Sequence, residues 1–273
     1  MLTDKHIRQF ARFYLLFFLL YYVCNWYNGL LFSSIQPVFF FNNLDIVHNG
    51  LMLSDLQHRL LGNNYWCITF DIIYLLLPFL LVMAIERNSK YKIGLAYFTA
   101  LFNLVYGVFF SSISLISVEV YVSWTMIPLL FAVKTKQGFY YFLHCERLIV
   151  ALMMASAGIW KIIEGGLFSM ETFSCNLLGN HAVFLIQNND YWFTGLIYWL
   201  VQHRVLTYLL YLAGAVIELL FIIAFFTKRY DRFLIVIFCL FFLGDLFLMR
   251  INYFTSWAVL ALLFYYSRYS VSD

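Results

Sequence analysis

Long apolar runs constrain this chain more than any other sequence feature. A helix needs about 20 consecutive apolar residues to cross the hydrocarbon core of a bilayer. Runs of this kind, separated by charges or by clusters of Asn, Gly and Pro, occupy residues 10–32, 66–85, 93–114, 117–133, 139–162, 205–227, 231–249 and 252–268. Because lipid offers no hydrogen bonds to the backbone, each run is predicted to form a transmembrane helix.

Composition supports the same class. Hydrophobic residues make up 64% of the chain and charged residues 11%, which leaves too little polar surface to cover a soluble globule of this size. We therefore expect an all-α integral membrane protein with about eight spans. The run at 117–133 is short and contains Pro128, so 93–133 could instead form one broken helix, which leaves seven spans. The first run is too long for a cleaved signal and is expected to stay as an anchor.

Basic residues in the connections predict the orientation. With the N-terminus in the cytoplasm, twelve Lys and Arg residues fall on the inner side and four on the outer side. The outer four are Arg59, Lys161, Arg204 and Arg250. This bias follows the positive-inside rule and places both termini in the cytoplasm. The membrane that we expect is a bacterial inner (cytoplasmic) membrane.

Two longer segments, 33–64 and 163–204, are then predicted on the outer side. The second ends in the aromatic run YWFTGLIYWLVQHR. Trp192, Tyr198 and Trp199 suit the depth of the lipid headgroups, so this segment is predicted to contain an interfacial helix before the sixth span. A re-entrant helix is the alternative.

Ionisable residues within or beside the spans are the candidate site. An ionisable side chain at lipid depth is costly unless it has a partner, reaches the interface or lines a wet cavity. Glu218 lies near the middle of its span, and Lys161 lies at the outer end of another. The remaining candidates for a substrate or cofactor cavity are Asp71, Glu119, Arg147, Glu164, Asp245 and Arg250. All but Arg147, which is near the inner end of its span, lie toward the outer face, to which the cavity is expected to open.

Structural roles compete with these functional ones. Lys161 could be an anchor paired with Glu164 on the adjacent turn. Asp245 could pair with Arg250. His144, Glu146 and Arg147 are interpreted first as a structural hydrogen-bonded cluster. Metal binding is not expected, because the loop histidines lack ligand spacing; they are His48, His58, His181 and His203.

The order of motifs in the second half resembles a known family. SAGIWK is followed by an aromatic outer loop, then by AGAVIELLF, by the basic turn TKRYDR and by FFLGDLFLMRINYFTSWAVLA. Over residues 139–268 this is similar to the membrane domain of the vitamin K-dependent gamma-carboxylase family and its bacterial relatives, the HTTM proteins. The resemblance implies that Lys161 is the base that deprotonates a reduced quinone at the outer side. It also implies that Glu218 matches an acidic residue of the next helix, and Arg147 an arginine that precedes the lysine.

The chain also departs from the carboxylases. The histidine of their penultimate helix has no counterpart among Phe242, Leu243 and Asp245. The 273 residues contain no equivalent of the soluble domain that follows the carboxylase helices. Small bacterial members of the family take part in the maturation of exported peptides, which suits a chain of this size.

Two hypotheses follow. In the first, the chain is one multi-spanning domain, with N-terminal helices in 1–138 and the family-like core in 139–268, and it acts as an enzyme. Lys161 and Glu218 are then catalytic, toward a lipid-soluble quinone or an exported peptide. In the second, the chain is a non-catalytic accessory or assembly subunit that packs against a membrane-protein partner. The net charge of +3 is explained by the inner connections, so no nucleic-acid partner is expected.

Overall fold

The computed structural model describes residues 2–35, 46–113, 121–250 and 252–269, and every regular element in these ranges is helical. The prediction of an all-α fold is therefore confirmed for the described residues. The helices are α1 (Asp4–Tyr27), α2 (Ile46–Ser54), α3 (Leu56–Leu61), α4 (Asn64–Glu86), α5 (Lys92–Ile113), α6 (Val122–Leu129), α7 (Lys136–Ile163), α8 (Thr172–Gln187), α9 (Trp192–Gln202), α10 (Arg204–Leu220), α11 (Ile223–Phe226), α12 (Asp231–Gly244), α13 (Phe254–Trp257) and α14 (Ala261–Tyr266).

Within the described ranges, six helical segments are long and apolar enough to cross a membrane. They are Asp4–Tyr27, Asn64–Glu86, Lys92–Ile113, Lys136–Ile163, Arg204–Phe226 and Asp231–Met249. These segments match six of the eight predicted spans, and a multi-pass membrane protein is the architecture that they support.

The other two predicted spans coincide with shorter apolar helices, Val122–Ala132 and Phe254–Tyr266. In the first, Pro128 lies inside α6, and the chain tightens into a 3₁₀ turn at Leu130–Ala132. Proline removes a backbone donor and disturbs the regular helix. The span count of eight and the orientation stay predictions.

The segment before the sixth span contains two helices where the sequence suggested one. The aromatic run forms α9, as the pattern indicated. A further helix, α8, precedes it, and a turn at residues 188–191 joins the two. The two helices pack on each other through a small core of Leu177, Leu185, Phe193, Ile197 and Leu200. Their interfacial location stays a prediction.

The chain divides into two compact units, and the boundary falls within α7 after His144. The first unit contains α1, α4, α5 and α6, which pack around aromatic side chains. Trp124 is fully buried there, between the rings of Tyr14, Phe18 and Tyr21. The second unit contains the rest of α7 and α8 to α12. Lys161, Glu218, Asp245, Arg147 and Arg250 all lie in it.

Candidate functional site

The last turn of α7 carries Lys161, whose ammonium group contacts a carboxylate of another helix. Nζ of Lys161 lies 2.7 Å from Oε1 of Glu218 in α10. The Lys161 side chain is 26% exposed and that of Glu218 is 6% exposed. The structure therefore joins the two residues that the sequence named as catalytic candidates, across 57 residues of chain.

The other oxygen of Glu218 has no contact of this kind. Oε2 is buried and has no hydrogen-bond partner among the described residues. A carboxylate oxygen in this state carries a desolvation cost unless a donor reaches it. The pair thus combines a buried, unpaired acceptor with a partly exposed ammonium group.

Two aromatic rings flank the ammonium group of Lys161. Nζ lies 5.5 Å from the ring centroid of Tyr211 and 5.9 Å from that of Phe241. At these distances the ring faces attract a cation. The rings also give the site flat apolar surfaces of the kind on which an aromatic ligand packs.

A second carboxylate lies near the pair. Asp245 interacts electrostatically with both Lys161 and Glu218. It begins a π-helical segment, Asp245–Met249, that follows α12. Such segments insert a wider turn into a helix and occur often at functional sites. We call Lys161, Glu218, Asp245, Tyr211 and Phe241 the lysine cluster.

Close packing between α7 and α10 lies one turn before Lys161. A Cβ atom at Gly158 would lie 2.9 Å from Cγ of Leu219 and 3.2 Å from Cβ of Glu218. Gly158 stands one turn before Lys161 on α7, so only a residue without a side chain allows α10 to approach here. The glycine of the SAGIWK motif thus fixes the spacing across which the ion pair forms.

Glu164 does not take the role of ion-pair partner in this arrangement. It lies one turn after Lys161, is exposed, and interacts electrostatically with Tyr211. The salt bridge of Lys161 goes to Glu218. The exposed carboxylate of Glu164 therefore adds negative charge one turn from Lys161 without forming its salt bridge.

Arg147 lies elsewhere on α7 and has its own partners. It precedes Lys161 by 14 residues, which corresponds to about 21 Å along a helix. Its guanidinium donates to Asp231 with Nε–Oδ2 at 3.0 Å and Nη2–Oδ1 at 2.5 Å, and to the carbonyl oxygens of Ala224 and Thr227 at 2.8 and 3.2 Å. Both charged side chains are fully buried. The pair ties α7 to the basic turn between α11 and α12.

The predicted cluster of His144, Glu146 and Arg147 is arranged differently. Arg147 pairs with Asp231, which the sequence analysis did not single out. Glu146 is buried, and neither of its carboxylate oxygens has a hydrogen-bond partner among the described residues.

Asp71 belongs to the first unit and is also satisfied locally. It is buried, and its carboxylate accepts from the hydroxyl of Tyr106 at 2.7 Å and from the backbone N–H groups of Ser33 and Phe32 at 2.9 and 3.3 Å. These bonds hold the chain after α1 against α4 and α5. Glu119, another predicted cavity residue, lies outside the described residues.

Arg250 packs on aromatic rings. Its guanidinium carbon lies 3.7 Å from the ring centroid of Phe184 and 4.7 Å from that of Phe193. Among the described residues no salt bridge joins it to Asp245. The structure thus brings Lys161, Glu218 and Asp245 together and gives Arg147, Asp71 and Arg250 different surroundings.

Sequence reasoning missed Tyr211, Phe241 and Asp231. The tyrosine and phenylalanine are two among many aromatic residues in apolar runs, so no local signal distinguishes them. Asp231 did carry a signal, since an acidic residue in the first turn of a span is favoured by the helix dipole and needs a partner at that depth.

The described residues contain no group of three or more His, Cys, Asp or Glu side chains that could hold a metal ion. No family model matches the chain, and no curated protein or solved structure is significantly similar to it.

Proposed function

We propose that the protein is a multi-pass membrane enzyme that exchanges a proton with a lipid-soluble substrate at the lysine cluster. The observation that supports this most is the contact of 2.7 Å between Lys161 Nζ and Glu218 Oε1. The second carboxylate oxygen is buried and has no hydrogen-bond partner among the described residues. The amine of Lys161 and the carboxyl group of Glu218 then lie together at the end of an apolar helix, within the distance that proton transfer requires.

The proton steps involve only this pair. When a bound apolar substrate excludes water from the site, two opposite charges become costly to maintain, and transfer of one ammonium proton to Glu218 then gives a neutral amine beside a carboxylic acid. The amine nitrogen of Lys161 then accepts the hydroxyl proton of the substrate and becomes an ammonium ion again. The substrate anion stays next to this cation, whose charge stabilises it.

The rings of the lysine cluster favour a flat aromatic substrate. Tyr211 and Phe241 lie beside the ammonium group and offer apolar faces to a ring. A reduced quinone would supply such a ring, together with an acidic hydroxyl group. Its hydroxyl would lie between Lys161 and the unpaired carboxylate oxygen of Glu218. The same residues would accept another apolar molecule that carries a weakly acidic proton, including a modified exported peptide.

The test is anaerobic binding of an isoprenoid naphthohydroquinone to purified protein in detergent. Wild-type protein is expected to shift the absorption spectrum of the bound hydroquinone toward that of its anion. Lys161→Ala should abolish the shift, and Glu218→Gln should weaken binding about tenfold, since a hydrogen bond from a charged group is lost. The matched control is Lys136→Ala, which removes a lysine from an exposed salt bridge with Asp4. An anion spectrum that survives in Lys161→Ala would rule out the lysine as the base.

One observation favours the accessory subunit as a second candidate. The α8–α9 pair exposes large apolar side chains such as Ile186, which is 83% exposed, and Trp192, which is 60% exposed. Native mass spectrometry of gently extracted protein separates the two functions. A stoichiometric protein partner, with no hydroquinone bound, would favour the subunit role.

A further inference from the structure

The backbone at Arg250 is in a conformation that side chains rarely adopt. Arg250 follows directly on the span-length segment Asp231–Met249 and has a φ of 54° in the left-handed region. Its N–H donates to the carbonyl oxygen of Asp245, which closes the π-helical segment. Glycine is the residue that fits this position best. An arginine at this position therefore carries backbone strain that glycine would avoid.

Aromatic rings hold the side chain in place, and no carboxylate of the described ranges pairs with it. The guanidinium packs on Phe184 from α8 and on Phe193 from α9 at centroid distances of 3.7 and 4.7 Å. The salt bridges of the described arginines join Arg12 to Glu86, Arg59 to Asp55, Arg147 to Asp231 and Arg204 to Glu171. Arg250 is exposed and has no such acidic partner among the described residues.

This geometry leaves the guanidinium donors available. Rings that pack against an arginine contact the guanidinium group mainly through its faces, while its N–H bonds point outward in the plane. A planar group held in this way can donate two parallel hydrogen bonds to a phosphate. Because the rings already fix the side chain, little conformational entropy is lost on binding.

The surroundings match the depth of lipid headgroups. Trp192 stacks on Phe247 of the π-helical segment with centroids 6.3 Å apart, and both side chains are exposed. Nε2 of His181 lies 2.7 Å from the carbonyl oxygen of Leu248, so the segment is bound to α8. Tryptophan and arginine near the end of an apolar span are typical of the membrane interface.

We propose that Arg250 is a binding site for the phosphate of a phospholipid headgroup, with Trp192 and Phe247 contacting the glycerol and upper acyl region of the same lipid. A phospholipid fits better than a soluble phosphate compound because the exposed rings of Trp192 and Phe247 lie against Phe193, one of the two rings that hold the guanidinium. The proposal does not depend on the lysine cluster, which uses other side chains.

The experiment measures phospholipid retention by native mass spectrometry after reconstitution in nanodiscs of phosphatidylglycerol and phosphatidylcholine. Wild-type protein is expected to retain phospholipid. Arg250→Gly, which suits the backbone and should leave thermal stability intact, is expected to lower retention about tenfold through loss of a charged hydrogen bond. Arg250→Lys should fall between the two, because it keeps the charge but not the planar donors.

Three controls decide the interpretation. Arg204→Gln removes another exposed arginine near α8 and should leave retention unchanged. Lys161→Ala should also retain the phospholipid, which separates this site from the proposed catalytic one. Diacylglycerol, which lacks the phosphate, should not be retained by the wild-type protein.

Equal retention in wild type and Arg250→Gly would overturn the proposal, and so would equal loss in Arg204→Gln or firm retention of diacylglycerol. Arg250-dependent binding of inorganic phosphate in lipid-free detergent, as strong as that of phospholipid, would assign the site to a soluble anion instead.

Discussion

At the scale of single residues, burial decides what each charge contributes. Arg147 and Asp231 are fully buried and bonded twice to each other, whereas Arg12 and Glu86 form an exposed salt bridge at 2.6 Å. Removing one member of a buried pair leaves the other charge buried without a partner. In an exposed pair, the charge that remains is hydrated by water instead. The contribution of a salt bridge to stability therefore depends on how deeply its charges are buried.

Arg147→Gln is expected to destabilise the protein by about 3–5 kcal/mol, because Asp231 stays buried without its partner. Replacing both residues with apolar ones, as in Arg147→Met with Asp231→Leu, should recover much of this loss. Thermal unfolding in detergent measures the effect, and Arg12→Gln is the matched control, expected to leave the midpoint nearly unchanged. Equal midpoints for Arg147→Gln and Arg12→Gln would contradict the structural role of the pair.

Lys161 and Glu218 could be chosen from the sequence because each is a charge within or at the end of an apolar run. Their contact could not be derived in the same way, since 57 residues separate them and Glu164 is much nearer in the chain. Tyr211 and Phe241 were missed because an aromatic ring in a membrane helix carries no mark of its neighbours.

At the scale of helices, Gly158 allows α7 and α10 to approach closely beside the ion pair. Leu219 and Glu218 occupy the space that a side chain at Gly158 would need, with Cγ of Leu219 at 2.9 Å. This contact sets the distance between the ion-pair partners. Small residues have the same role in other membrane helix pairs, where close backbone approach provides the packing energy.

Gly158→Ala should push α10 away from α7 and cost about 1–3 kcal/mol, as overpacking does elsewhere. The control is Gly179→Ala in α8, where nothing lies within 4 Å of the added Cβ. That change should be neutral or stabilise the helix by about 1 kcal/mol. Unfolding midpoints of the two variants provide the comparison, and a destabilised Gly179→Ala with an unaffected Gly158→Ala would contradict the packing argument.

At the scale of the whole molecule, the distribution of Lys and Arg predicts the orientation in the membrane. Cysteine labelling with an impermeant maleimide in intact cells tests it, on a background without the five native cysteines. Asn189→Cys, exposed in the turn between α8 and α9, should react from outside. Gln137→Cys, exposed at the start of α7, should react only after the membrane is permeabilised. The reverse pattern would refute the positive-inside assignment.

The sequence by itself determined the class of fold and the position of the long helices. An apolar run of spanning length can satisfy its backbone in lipid only as a helix, so six predicted spans reappear as helices of that length within the described ranges. The pattern was less informative where the helix is short, as at Val122–Ala132, because proline and tertiary contacts decide such segments.

Only the tertiary structure decided which charges meet. It paired Lys161 with Glu218 and not with Glu164, and it placed Arg250 on two phenylalanine rings. The physical reason is that the hydropathy of a segment depends only on its own residues. An ion pair between helices depends on how the two helices are rotated and how closely they approach. Those quantities are set by local packing, such as the absence of a side chain at Gly158, which no spacing along the chain reveals.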